Sequence, residues 1–164
     1  MCALWQPEAF AGVNEDSWED ELAEDEALVR HIEAGTFVPL NVGGDGAFQA
    51  IIRIGTDLVP LTEAEIEYRL VSSSPYLLES RGTVAVGGLE DIGGDAGADP
   101  LRIGLEPGRY RVIVHLVDWA ADPNSAGPDG EPLPDALPDF VIQIAEEAPG
   151  LQDYRRNVET FERP

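Results

Sequence analysis

Leu101-Arg102-Ile103-Gly104-Leu105-Glu106-Pro107-Gly108-Arg109-Tyr110-Arg111-Val112-Ile113-Val114-His115-Leu116-Val117-Asp118-Trp119 decides how the rest of the chain is read. Two apolar runs, 101–105 and 110–119, flank Glu106-Pro107-Gly108-Arg109. Proline fixes φ for the first central position of a tight turn and glycine tolerates what the second requires, so the spacing predicts a β-hairpin. Successive strand side chains alternate, which puts Tyr110, Val112, Val114 and Leu116 on one face. Arg109, Arg111, Ile113, His115, Val117 and Trp119 share the other, a half-polar face that an all-apolar core does not explain.

Working outward, residues 76–80 and 83–86 read as two further strands around Arg81-Gly82, and residues 140–144 as a final strand. Upstream, residues 37–42 and 47–54 read as a second hairpin around Gly43-Gly44-Asp45-Gly46. Phe48, Ala50, Ile52 and Ile54 share a face of its second strand. Pro39 cannot donate a ladder hydrogen bond, which assigns its strand to an edge or a bulge. Residues 121–138 hold five prolines and read as an ordered loop over one end of a sheet. Short strands with regular turn signals and no strand–helix alternation predict a mainly β chain, an antiparallel β-sandwich with an N-terminal acidic amphipathic helix.

That helix is expected over residues 16–34, where Trp18, Leu22, Val29 and Ile32 recur at helical spacing. Glu15, Asp16, Glu19, Asp20, Glu21, Glu24, Asp25 and Glu26 crowd its start, Arg30 and His31 its end, the sense the helix dipole favours. Gly35 is the expected residue just past its C-terminus. Thr62-Glu63-Ala64-Glu65 fits a capping box that opens a short helical turn over 63–67. Residues 68–71 fit either a continuation of that turn or a strand. The expected organisation is a flexible lead over 1–14, one domain over 15–145, and a polar tail over 146–164 anchored by Tyr154, Val158 and Phe161.

The chain has 164 residues, with 32 Asp and Glu against ten cations, all of them arginine, and a net charge of −22. That balance excludes general binding of nucleic acid through clustered Lys and Arg, and disfavours docking on anionic membranes. Cys2 is the single cysteine, which leaves no disulfide framework and points to a reducing, cytoplasmic compartment. No apolar run reaches membrane-spanning length. The lysine-free, Ala- and Gly-rich composition fits a GC-rich bacterial genome, with an acid surface adapted to salt as the alternative.

Chemistry has few footholds. Ser72, Ser73, Ser74 and Ser80 are the candidate nucleophiles and His31 or His115 the candidate bases, but no serine lies in a nucleophile elbow and no catalytic set is assigned. Asp91, Asp95 and Asp99 in a Gly-rich segment are candidate ligands for a hard cation such as calcium, without the EF-hand spacing. His115 and Asp118 with Arg111 form another constellation, although Asp118 points away from the face that Arg111 and His115 share. The loop 43–46 lacks the following Lys-Ser or Lys-Thr of a phosphate cradle. No cofactor is implied.

The order of an acidic lead, a strand, the Thr62-Glu63-Ala64-Glu65 turn, the segment 80–86 and then Leu101 to Val112 resembles the competence nuclease inhibitor (ComJ-like) family and its immunity-type relatives over residues 37–144. Phe37-Val38-Pro39-Leu40 and Ser72-Ser73-Ser74-Pro75-Tyr76-Leu77 also resemble uncharacterised proteins of GC-rich bacteria. The first resemblance implies a small β-sandwich that binds and silences a nuclease or toxin. The expectation is therefore a non-enzymatic inhibitor or immunity factor for a basic protein, steered by the eight carboxylates of residues 15–26 and anchored by Trp18 or Trp119. The alternatives are a small-ligand or calcium-binding sandwich, with or without hydrolytic activity, on loops 91–99 and 120–138, and a domain whose acidity serves only solubility.

Overall fold

Leu101–Val117 is one continuous strand in the computed structural model, which describes residues 1–41, 48–93, 100–150 and 153–161. It is the sixth of seven strands among the described residues: β1 (Cys2–Trp5), β2 (Phe37–Leu40), β3 (Ala50–Gly55), β4 (Arg69–Ser72), β5 (Tyr76–Gly88), β6 (Leu101–Val117) and β7 (Phe140–Glu146). The turn expected at 106–109 is overturned, and so is the division of 76–86 into two strands, because β5 and β6 pair antiparallel from Val86↔Leu101 to Tyr76↔Val112.

The register shows why Pro107-Gly108 does not reverse the chain. Ser80 pairs with Gly108 and Gly82 with Leu105, so Glu106 and Pro107 together oppose Arg81. This is a β-bulge, a place where a residue without an N–H is tolerated inside a strand. The extra residue also re-phases the strand. Leu105 and Tyr110 are five apart and would point to opposite faces of a regular strand, yet both belong to the core. Gly82 takes φ +117° at the bulge, and the Ser80 hydroxyl donates to the Leu105 carbonyl at 2.6 Å.

The strands run in the order β2-β1-β5-β6-β7-β3, with β4 also paired to β6. The chain is mainly β, as expected, but the sheet is mixed rather than antiparallel, since β3 pairs parallel with β7. The hairpin expected over 37–54 does not form. β2 and β3 lie at opposite ends of the sheet, and the turn assigned to Gly43-Gly46 lies outside the described residues. β3 instead aligns Ile52 with Ile142 and Ile54 with Ile144, and its Ala50 with Phe140. Pro39 is in the edge strand β2, as its missing N–H requires. Residues 1–14 are not a loose lead: β1 is inserted between β2 and β5, and Ala3, Leu4, Trp5 and Phe10 are buried.

One face of the sheet gathers Leu4, Val38, Val84, Tyr76, Leu78, Val112, Val114, Ile142 and Ile144 in a single core cluster. The opposite face is covered in two places. Near β1 and β2, Phe10 packs edge-on to Phe37 and 4.5 Å from the His31 ring, under helix α1 (Asp25–Glu33). Near β3, β6 and β7, the half-polar face lies under the crossover that carries helix α2 (Glu63–Glu67).

The expected single helix over 16–34 is broken. A π-helical turn, Glu19–Ala23, ends at Glu24, which is extended at φ −99° and ψ 135°, and α1 begins after it. In a continuous helix Leu22 and Leu28 would be turned by roughly 120° from each other. The break brings both into the core. Gly35 closes α1 as expected: its N–H bonds the Ile32 carbonyl and the Thr36 N–H bonds that of His31, the paired bonds of a Schellman motif. At the C-terminus, Thr160 is fully buried and bonds both Asn41 and Pro39 along the outer edge of β2. Val158 enters the core and Phe161 packs against it, while the Tyr154 hydroxyl donates to Glu147.

The capping box is present as expected. The Glu65 N–H donates to Thr62 Oγ1 at 3.2 Å and the Thr62 N–H to Glu65 Oε2 at 2.7 Å. Residues 69–72 resolve as strand β4. Thr62→Ala is expected to lower stability by about 1 kcal/mol, read as a shift in urea midpoint without a change in slope.

Candidate functional site

The acidic segment is anchored on the core. Asn14 caps its first turn by accepting from the Asp16 and Ser17 amides, and Leu22, Ala27, Leu28 and Ile32 bury its inner side. Glu15, Asp16, Glu19, Asp20, Glu24, Asp25 and Glu26 are all exposed, and none of them forms an ion pair with a described residue. Glu21 differs: its carboxylate lies 3.1 Å from His31 Nε2 and 3.9 Å from Arg30. Elsewhere several arginines pair with acids of the chain, with Arg53 on Glu65, Arg109 between Glu79 and Glu147, Arg111 near Asp57, and Arg156 on Glu33. Seven uncompensated carboxylates on one helical unit make a local negative field.

Trp18 is half-buried against the core and its indole N–H donates to the Leu89 carbonyl, so it pins this unit to the sheet. Trp119 stands elsewhere, beyond the end of β6, with its N–H on Asp139 at 3.2 Å. It lines an open cleft of about 460 Å³ with Phe48, Pro132, Leu133, Pro134 and Leu137. The loop that supplies those prolines is organised by Asp122, whose carboxylate accepts from the Asn124 amide and the Ser125 hydroxyl, bonds that hold it below its ordinary pKa. A second open cleft, of about 430 Å³, lies between Trp5, Phe10, Ile92 and Arg102. Asp91 accepts from the Gly88 amide at 2.9 Å, while Asp95 and Asp99 lie outside the described residues. Among the described residues no three His, Cys, Asp or Glu side chains gather as a metal site, and no helix is long and apolar enough to cross a membrane.

Of the candidate serines and bases, one pair meets. Ser72 on β4 and His115 on β6 are directly opposite in the antiparallel register, and Ser72 Oγ lies 2.8 Å from His115 Nδ1. Ser73 is buried and accepts from the Val114 amide, Ser80 serves the bulge, and His31 is engaged by Glu21 and Thr36. Asp118 instead donates its amide to the Tyr68 carbonyl. Sequence reasoning missed the third member, Gln143 of β7, whose Oε1 lies 2.8 Å from His115 Nε2. The signal was present: Gln143 is a polar residue inside the apolar run 140–145, both of whose faces are buried.

The hydrogen bonds fix the tautomer. Gln143 Nε2 donates to the Val59 carbonyl, which can only accept, so Oε1 faces His115. His115 therefore carries its proton on Nε2 and accepts from the Ser72 hydroxyl at Nδ1. Burial pushes His115 below its ordinary value, helped by Arg69 and Arg53 and opposed by the Gln143 bond and Glu65. Beside this line, Arg53 makes two 2.7 Å bonds to Glu65. Burial would raise the Glu65 carboxyl, but Arg53 and the Thr62 amide more than offset it and hold the group below its usual range.

Compared with known proteins, the sequence matches no family model, no curated protein and no solved structure.

Proposed function

We propose that this chain is a protein-binding module whose acidic helical unit docks on a basic partner, as an inhibitor or immunity factor docks on a nuclease or toxin. The observation that carries the reading is the display of seven exposed carboxylates between Glu15 and Glu26, none compensated within the described residues, on a segment anchored by Trp18, Leu22, Leu28 and Ile32. A fixed field of one sign raises encounter rates with a surface of the other and sets orientation before contact. The resemblance to ComJ-like and immunity-type proteins belongs to the same proposal. So does the sandwich architecture it implies, with the sheet folding over at the 106–107 bulge.

The test compares the natural chain with a variant in which Glu19, Asp20, Glu24 and Asp25 are each replaced by Arg. Immobilised on a support, the natural chain is expected to retain one basic protein from source-cell lysate at low salt and to release it as ionic strength screens charges over about 10 Å. The variant is expected to lose at least 10-fold in association rate with that protein. Equal association by both chains, or an association independent of salt, overturns the reading.

A further inference from the structure

Ser72, His115 and Gln143 come from three neighbouring strands and form one hydrogen-bonded line, Ser72 Oγ to His115 Nδ1 and His115 Nε2 to Gln143 Oε1, each 2.8 Å. We propose that Ser72 is a nucleophile toward small activated esters, with His115 as its general base and Gln143 as the positioning residue that fixes the base's tautomer.

Three features support this beyond proximity. First, the line has a direction. The Val59 carbonyl orients the Gln143 amide, the amide oxygen holds the proton on Nε2, and the unprotonated Nδ1 faces the serine. A positioned base oriented by a third group is the arrangement that activates a hydroxyl. Second, exposure is graded along it: Ser72 is exposed, while His115 is 5% exposed and Gln143 equally buried. The nucleophile is open to a ligand and the base is shielded from water. Third, the elements that lead into Ser72 leave apolar side chains uncovered, with Ile66 on α2 and Leu70 on β4 53% and 61% exposed.

In the first step Ser72 Oγ bonds to the ester carbonyl carbon while its proton passes to His115 Nδ1. The bond from that carbon to the leaving oxygen then breaks, and the oxygen takes the proton from Nδ1, giving free alcohol, acylated Ser72 and neutral His115. Water deprotonated by the same nitrogen releases the acid and restores the hydroxyl. The charged groups acting on the imidazole are Arg69 on β4, Arg53 on β3 and Glu65 on α2, with the neutral Gln143 on β7.

The test uses the full chain and diisopropyl fluorophosphate, with the adduct mapped by mass spectrometry and the fold followed by circular dichroism. The expected result is a single adduct on Ser72, absent in Ser72→Ala, and formed at least 100-fold more slowly in His115→Gln. The labelling rate is expected to rise with pH through a midpoint below the ordinary histidine value. Gln143→Leu removes the bond that favours the charged imidazole and should move that midpoint lower, a change that a purely structural glutamine does not produce, and this holds as a test if His115→Gln does not fold. No adduct on Ser72 in the folded natural chain, labelling spread evenly over Ser72, Ser73 and Ser74, or a rate independent of pH over the whole range in which the chain stays folded overturns the proposal.

Discussion

Arg53→Met is expected to lower stability by about 3 kcal/mol at neutral pH, because it leaves the Glu65 carboxylate buried without its partner. Glu65 is 2% exposed and accepts both guanidinium bonds of Arg53 at 2.7 Å. Arg53 also donates to the Pro60 carbonyl, so the pair ties α2 and its lead to the edge strand β3. Most of the loss should return in Arg53→Met/Glu65→Gln, which buries no charge and keeps an oxygen able to accept from the Thr62 amide.

The pH dependence has a definite sign. In the natural chain the Glu65 carboxyl is held below its ordinary 4.5, so its contribution is complete above that value and is lost as pH falls through the lower, folded value. Without Arg53 the carboxyl loses the guanidinium bonds and charge that lower it while burial still raises it, so it protonates at a higher pH than in the natural chain. The difference between Arg53→Met and the natural chain is therefore largest near pH 7 and shrinks toward pH 4, measured as the gap between urea midpoints. A gap that stays constant across that range would falsify the assignment of the loss to Glu65.

What could be read in the sequence, and what could not, divides along the range of the interactions. The Thr62–Glu65 box and the Gly35 helix end are local, their partners lie within five residues, and both form as expected. The two-faced pattern of residues 110–117 was legible because alternation is a property of one strand, and Val112 and Val114 are indeed fully buried. The turn at Pro107-Gly108 was not, since the same two residues suit a hairpin or a bulge. What decides is the opposite strand, where Arg81 alone faces Glu106 and Pro107. The 37–54 hairpin failed for the same reason: β2 and β3 find partners 32 residues or more away along the chain, in β1 and β7. The site follows this division. His115 was singled out as a residue, but its neighbours Ser72 and Gln143 are 43 and 28 positions distant, and a single sequence does not encode that pairing in any spacing.

Gly35→Ala is expected to lower stability by about 2–5 kcal/mol, from two independent causes. Gly35 has φ +71°, a region that costs an L-residue roughly 1–2 kcal/mol. The added Cβ would also lie 2.8 Å from Leu77 Cγ, 3.0 Å from Leu77 Cδ2 and 3.1 Å from Glu79 Cγ. Leu77 is buried in β5, so relieving the overlap means moving the strand or an off-rotamer leucine, about 1–3 kcal/mol more. The backbone cannot retreat easily, because the Gly35 carbonyl accepts from the Glu79 amide at 2.7 Å and the residue closes α1. A double-mutant cycle separates the causes. Leu77→Ala opens the space, so Gly35→Ala in that background should cost only the conformational part, and the two changes should couple by at least 1 kcal/mol. Strict additivity would show that the overlap is relieved without cost and that the left-handed backbone alone makes glycine necessary there. Because α1 presents Asp25 and Glu26 at its start and is docked through this end, the same substitution should loosen the acidic unit first. Amide exchange in residues 25–36 is expected to quicken more than in β6 and β7.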